Sequence, residues 1–307
     1  MIDRFLYYVI VAPLSRMPLW YIYLITDFFF VIIYYIKPYR KKVVMTNIGK
    51  SFPEKGGAEH KKTSRRFFRF FTDLLAEATK NLAISETSLR KRLRVRNPEL
   101  MKGLYERNKS VVLVAGHYNN WEFLITGVNI LFPHQAFGIG TPLSNKFWDD
   151  RITRRRERFG MKVTNAGSYK QSLKEFSDGP TSVLVLGDQS PAHNASVYWT
   201  RFLNQDTAFY FGTEVLANQF DMAVVYASVH KIRRGYYELE LKLITENPRQ
   251  EVYGAITEGY IRLLEKDIHS APDRWLWSHK RWKMEAPKDL ASVRENHKSK
   301  FEKRFRA

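Results

Sequence analysis

Ser110-Val111-Val112-Leu113-Val114-Ala115-Gly116-His117-Tyr118-Asn119-Asn120-Trp121-Glu122 is the stretch that decides the fold. Residues 110–115 are a short apolar run closed by glycine, the pattern of a strand buried on both faces of a parallel sheet. Residues 181–186 (TSVLVL) repeat the pattern and are also closed by a glycine, Gly187. Residues 222–230 and 236–244 flank Arg233-Arg234-Gly235. In the second of these runs Leu239, Leu241 and Leu243 alternate with Glu238, Glu240 and Lys242, so the pair predicts an antiparallel hairpin on the same sheet. Helical patterns fall over 145–159, 209–219 and 255–268, and over Gly127 to Leu131 with the residues before it. This alternation predicts one α/β domain with a largely parallel central sheet and helices on both faces.

The chain has 307 residues, 44% of them hydrophobic, with 50 Lys and Arg against 31 Asp and Glu and a formal net charge of +19. That apolar content excludes a disordered basic arm, which could not bury enough surface to offset chain entropy. Cysteine is absent, so disulfides, thiolate nucleophiles and cysteine-based zinc sites are excluded. The positive charge points to an acidic partner without choosing among nucleic acid, anionic membrane, phosphorylated lipid and acidic protein.

Residues 17–36 form a 20-residue apolar stretch holding one charge, Asp27. As a helix it is about 30 Å long, enough to cross a bilayer core. Tyrosine and tryptophan crowd its ends, and Lys37, Arg40, Lys41 and Lys42 follow at once, which by the positive-inside rule would keep everything downstream in the cytoplasm. Asp27 at mid-membrane would cost about 3 kcal/mol, and residues 5–14 are too short to cross alone. The alternative is a helical hairpin lying in the interface of one leaflet. Residues 1–42 thus read as a membrane anchor with a basic flank, 43–287 as the α/β domain and 288–307 as a basic tail, a surface helix or a frayed end.

The remaining basic residues cluster at 61–69, 90–96 and 151–158. Phe67, Phe70, Phe71, Leu74, Leu75 and Ala78 recur at helical spacing, so the first cluster rims an amphipathic helix. Such a helix either packs on its own domain or rests on anionic headgroups.

Ligands of open α/β sheets collect beyond the carboxyl ends of strands, which is where His117 and Asp188 fall. His117 precedes Glu122 by five residues. Within one helix such a pair points about 140° apart, so the two meet only if a turn precedes a helix starting near Asn119 or Asn120. Glu122 would then fix the imidazole tautomer while the other nitrogen removes a proton from a hydroxyl. Against this, Asn119-x-x-Glu122 is close to a capping box. Asp188 could reach the same crevice, or simply start a turn before Pro191. Arg154, Arg155, Arg156 and Arg158 lie on a helix ending at Gly160. Arg156 could hold a phosphate or a developing oxyanion, or the group could be a solvated face. The segment 272–283 carries three tryptophans, His279 and the bases Lys280, Arg281 and Lys283, which suits a membrane-interface belt, a lipid groove or core packing. No G-x-S-x-G elbow, P-loop or His-x-x-x-His spacing occurs, so direct attack by an acceptor hydroxyl is simpler than an acyl-enzyme. A basic membrane- or nucleic-acid-binding protein without catalysis is the alternative. Nucleic acid is disfavoured, because the bases are scattered between apolar helices and no aromatic stacking platform is evident.

Four blocks in order resemble the bacterial lipid A biosynthesis acyltransferases of the late, lauroyl/myristoyl type, within the His-x4-Asp/Glu glycerolipid acyltransferase superfamily. His117-Tyr118-Asn119-Asn120-Trp121-Glu122 matches the motif in its Glu form. Tyr39-Arg40-Lys41-Lys42-Val43-Val44 with Asn47 and Ser51-Phe52-Pro53-Glu54 resembles the segment after the anchor. Arg156-Glu157-Arg158-Phe159-Gly160 and Gly187-Asp188-Gln189 are similar to the Arg-x-Arg-x-Gly block and the Asp-containing strand end. Pro272 to Lys283 resembles the C-terminal signature. The resemblance implies a glycerolipid acyltransferase-like fold and acyl transfer from acyl carrier protein to a hydroxyl of a phosphorylated glycolipid, a lipid A precursor. The site would be the cytoplasmic face of the bacterial inner membrane, with neither cofactor nor metal. It makes His117 the general base and Glu122 its orienting partner. Arg156 and Arg158 would hold substrate phosphate or the oxyanion, and Asp188 would be a further relay acid. The Glu-Gly-Thr-Arg motif of glycerol-phosphate acyltransferases is missing, which argues against glycerol phosphate as acceptor.

Overall fold

The computed structural model describes residues 2–306 except Thr141, Ala166, 176–178 and 193–195. Its strands are β1 (Leu93–Val95), β2 (Val111–Ala115), β3 (Gln135–Ile139), β4 (Lys162–Thr164), β5 (Thr181–Leu186), β6 (Val197–Phe202), β7 (Gln205–Tyr210), β8 (Ala223–Arg233) and β9 (Tyr236–Thr245). β6 and β7 form a separate antiparallel hairpin, while the others make one sheet in the order β1-β9-β8-β2-β5-β3-β4. β2 lies at its centre, parallel to β5 and β8, and β3 and β4 extend the parallel run. β9 returns antiparallel to β8 around Arg234 and Gly235, the glycine supplying a φ of 74°. The sheet and its hairpin are those expected from the sequence.

Three short helices open the chain, α1 (Ile2–Phe5), α2 (Ala12–Arg16) and α3 (Leu19–Val31), the last continued by a π-helical turn to Ile36. Then come α4 (Lys41–Ser51), α5 (Gly57–Asn81), α6 (Glu86–Arg92) and α7 (Glu99–Glu106) before β2. The later helices are α8 (Trp121–Leu131), α9 (Lys146–Glu157), α10 (Tyr169–Glu175), α11 (Gly212–Phe220), α12 (Ala255–Ser270) and α13 (Leu290–Phe305). The expected helix over 209–219 begins only at Gly212. Phe209 and Tyr210 instead close β7, where Phe209 pairs with Tyr198 and buries its ring.

Every residue of β2 is buried. Alternation along the strands divides the core. Val112, Val114, Val183 and Val224 pack beneath α4, α5, α11 and α12. Val111, Leu113, Leu184 and Val225 pack beneath α6, α7 and α8. Each such side chain contributes about 1.5–3 kcal/mol by leaving water, which is why an unbroken valine run serves as a central strand.

Leu19 to Ile36 is long and apolar enough to cross a membrane, but it lies along the domain. Leu19, Ile22, Tyr23, Thr26, Phe30 and Ile33 form one buried stripe, packed chiefly on α5. Trp20, Leu24 and Phe28 form an exposed stripe on another face, Phe28 at 68% exposure. Asp27 is on the protein side. It pairs with Arg69 of α5 at 3.0 Å and with Arg234 of the β8–β9 turn, and Arg234 also bonds Asp73. The single charge in the apolar stretch is therefore part of an ion-pair network. α1 packs on α9, where Asp3 accepts from the Trp148 indole at 2.8 Å. The basic helix α5 buries Phe67, Phe68 and Phe70 and leaves Arg65, Arg66 and Arg69 exposed. The basic tail folds as α13, docked through Phe301 against Phe211 and Tyr253.

Candidate active site

β2 and β5 pair in constant register, Val111 beside Ser182 and Ala115 beside Leu186. The same offset carried two residues further sets Asp188 beside His117, and the Gly187 N–H still donates to the Ala115 carbonyl at 3.2 Å. Space dictates the glycines that follow each strand. A Cβ on Gly116 would lie 2.6 Å from Leu264 Cδ1 and 3.3 Å from Asp188 Oδ2, and one on Gly187 would lie 3.0 Å from Tyr260 Oη.

His117 Nδ1 donates to Asp188 Oδ1 at 2.5 Å. Asp188 Oδ2 accepts the His117 backbone N–H at 2.8 Å and the Trp275 indole N–H at 2.7 Å. Burial alone would raise this carboxyl. The positive charge available to His117, with the bonds from His117 and Trp275, outweighs burial and holds Asp188 at about 2. An ionised Asp188 keeps the ring proton on Nδ1 and leaves a lone pair on Nε2. There the Gln189 side-chain amide donates, 3.0 Å away. Trp121 packs edge-on against the imidazole, ring centroids 5.1 Å apart.

Glu122 does not meet His117 in the manner expected. α8 starts at Trp121 and its cap is Asn120, not Asn119: Asn120 Oδ1 accepts the Phe123 N–H at 2.8 Å. Glu122 points instead to α9, where it binds Arg155 and lies 3.4 Å from Arg156 Nη2. Burial would raise Glu122, but Arg155, Arg156 and His117 together hold it below the usual carboxylate range. Arg155 is buried, whereas the Arg156 side chain keeps 28% exposure. Arg158 is exposed and spends its guanidinium on the Leu82 carbonyl at 3.0 Å, beyond the end of α5. The structure thus brings His117, Asp188, Glu122 and Arg156 together and leaves Arg158 on the periphery.

The C-terminal signature builds the wall of this site. Tyr118 bridges Trp275 in antiparallel fashion, the Asn119 N–H donates to the Arg274 carbonyl at 3.0 Å, and the Leu276 N–H donates to the His117 carbonyl at 3.1 Å. The path requires a φ of 51° at Asn119, a conformation asparagine tolerates. His279 Nε2 accepts the Ser190 N–H at 3.0 Å, and burial, opposed by Asp188, lowers this imidazole to about 4. Trp275 and Trp277 are buried, and Arg281 is buried with its guanidinium on the Ala208 carbonyl at 2.6 Å. Of the readings left open for 272–283, core packing holds for Trp275 and Trp277, and the segment forms a wall of the site. Sequence reading named Gln189, Trp275 and Arg155 only as members of longer blocks and gave none of them its own role in the site. Gln189 follows Asp188 at the sheet edge and was open to notice, but nothing in a run of arginines singles out Arg155.

Residues 1–284 match the family model of the bacterial lipid A biosynthesis acyltransferases. The lipid A biosynthesis palmitoleoyltransferase of Escherichia coli (strain K12) and the lipid A biosynthesis acyltransferase of Shigella flexneri are each 23% identical to the chain over 248 residues, covering 80% of it and 79% of the relative. The match runs through the apolar N-terminal segment, the His117 loop and the C-terminal signature, and it displaces the non-catalytic binding alternative. This chain belongs to the bacterial lipid A biosynthesis acyltransferases and is a transferase.

Proposed function

We propose that the protein moves a fatty acyl chain from the thioester of acyl carrier protein to a hydroxyl of a lipid A precursor or similar polar lipid, with His117 as general base and no acyl-enzyme. The observation that carries this reading is the Asp188–His117 bond of 2.5 Å, which leaves the Nε2 lone pair as the base at the sheet edge. Gln189 occupies Nε2 in the structure, the position an acceptor hydroxyl takes when bound. His117 Nε2 removes the hydroxyl proton as the oxygen bonds to the thioester carbonyl carbon, and that carbonyl's electron pair moves to its oxygen. Arg156, loosely held by Glu122 and partly open, stabilises this oxyanion or the acceptor's phosphate. Collapse breaks the C–S bond. The carrier thiolate then takes the proton from Nε2, leaving an ester, a thiol and neutral His117.

The N-terminal helices are read as resting in the cytoplasmic leaflet of the inner membrane. This is supported by the buried stripe along α3 and by Asp27, whose partner Arg234 belongs to the catalytic domain. A helix projecting across the bilayer would lose both.

The test is mass spectrometry of total lipids from one host expressing the active form or His117→Ala, with purified protein assayed on acyl carrier protein thioester with and without acceptor. A new acyl chain that depends on His117 and on acceptor is the expected result. Full transfer by folded His117→Ala overturns the reading.

A further inference from the structure

Three elements of the fold converge on one buried carboxylate, Glu77, near the end of α5. The Tyr23 hydroxyl of α3 donates to Glu77 Oε1 at 2.6 Å, and the Tyr237 hydroxyl of β9 donates to Oε2 at 2.7 Å. The Asn120 side-chain amide also donates to Oε2. Asn120 is the cap of α8, holding the Phe123 N–H with its other side-chain atom. One turn along the same face of α5, Asn81 donates to the Glu122 carbonyl at 3.1 Å and to the Thr126 hydroxyl at 2.8 Å. Lys80 donates to the Met17 carbonyl at 2.8 Å. The last turn of α5 therefore grips the N-terminal arm on one side and the first turn of the active-site helix on the other.

A carboxylate in this place is costly, since burial disfavours its charge and pushes its titration up, countered by the bonds from Tyr23, Tyr237 and Asn120. An apolar residue of similar size would leave three buried donors unpartnered. Glutamine would force a tyrosine hydroxyl to turn round and accept. Two carboxylate oxygens let a hydroxyl from the arm and the amide of a helix cap both donate to one side chain.

We propose that Glu77 is a positioning residue that couples seating of the N-terminal apolar arm to the geometry of the His117 loop, through Tyr23 on one side and Asn120 on the other. With the arm seated, both oxygens are fixed and Asn120 holds the start of α8. That in turn fixes Trp121 against His117 and Glu122 against Arg155 and Arg156. When the arm lifts, Oε1 loses its donor and Asn120 loses a rigid acceptor. Transfer is thereby confined to protein whose arm is docked.

The proposal rests on the acyl-transfer reading, so one arm of its test needs no turnover. Full-length protein is studied on phosphatidylethanolamine–phosphatidylglycerol vesicles as wild type, Tyr23→Phe, Asn120→Ala and the double variant. Hydrogen exchange at the Phe123 amide should accelerate about tenfold in Tyr23→Phe, with kcat falling by a similar factor while KM for either substrate and the thermal midpoint hardly move. Asn120→Ala removes the cap itself and should accelerate Phe123 exchange, lower kcat and also lower the thermal midpoint, and the double variant should lose no more than the worse single. Unchanged Phe123 exchange in Tyr23→Phe overturns the coupling, as do losses that multiply in the double variant. Neither result depends on whether His117→Ala is active. Tyr23→Phe deletes a single hydroxyl, so the test survives if Glu77 variants do not fold.

Discussion

Asp188 holds His117 twice, with Oδ1 on the ring at 2.5 Å and Oδ2 on the backbone N–H of the same residue at 2.8 Å. Ring tautomer and loop position are thus set by one carboxylate from the neighbouring strand. Asp188→Asn keeps the shape but loses the ionised acceptor. It should lower kcat by about 10³–10⁴-fold with KM little changed, as steady-state transfer assays will show. A loss below tenfold would remove Asp188 from the orienting role.

The same pair links folding to acid. Asp188 sits at about 2, below its ordinary 3.8, so its contribution to stability is fully present above pH 4 and is lost as pH falls through 2. The contribution is about 2 kcal/mol. Urea unfolding of wild type and Asp188→Asn at pH 5, 3 and 2 should show the gap between them closing over that window. A gap independent of pH contradicts the linkage.

His279 behaves in the opposite chemical sense with the same acid sensitivity. Its imidazole is lowered to about 4 from 6.5, mainly by burial. The unfolded chain therefore takes up a proton between pH 6.5 and 4 that the folded protein refuses, and stability falls over that range. His279→Gln can still accept the Ser190 N–H and should flatten this part of the pH–stability curve. An unaltered slope in denaturant titrations would count against it.

Glu122 and Arg155 form a largely enclosed ion pair, with Arg155 buried and the Glu122 side chain 20% exposed. Removing one partner strands the other, so Glu122→Gln should cost about 3–5 kcal/mol. Glu122→Gln combined with Arg155→Met should recover much of that. Calorimetry on the two variants decides the matter, and equal midpoints would show that the pair is not the source of the loss.

The absence of cysteine makes single-cysteine labelling clean. With the arm in one leaflet, cysteines at Trp20 and Ile36 should both react with a membrane-impermeant maleimide only from the cytoplasmic side. Labelling of the Trp20 position from the opposite side would establish a full span instead.

His117 and Asp188 were legible because glycine-closed valine runs announce strand ends, and strand ends place functional groups. Glu122 was not legible as a partner of Arg155. That contact depends on how α8 packs on α9, and spacing within the His-x4-Glu motif contains no information about a helix more than twenty residues downstream. Asp27 misled in the same way: in sequence it is a charge inside an apolar run, while in space it meets Arg69 and Arg234. Trp275 and Trp277 could not be assigned to core or membrane by composition, since both environments favour the same side chain. Local pattern gave the layers, and long-range pairing settled which charges face each other.

The unbroken register of β2 and β5 has a consequence for how such a protein can vary. The two halves of the proton relay are aligned by a ruler of five paired positions, not by the intervening loops and helices. The loops that join α8, β3, α9, β4 and α10 ahead of β5 can lengthen or shorten while His117 and Asp188 remain opposite each other. A slip of one residue in either strand would instead turn every side chain over and send Asp188 to the wrong face. Acceptor and chain-length preferences thus have room to diversify in the connecting segments, whereas the ten residues of the ruler do not.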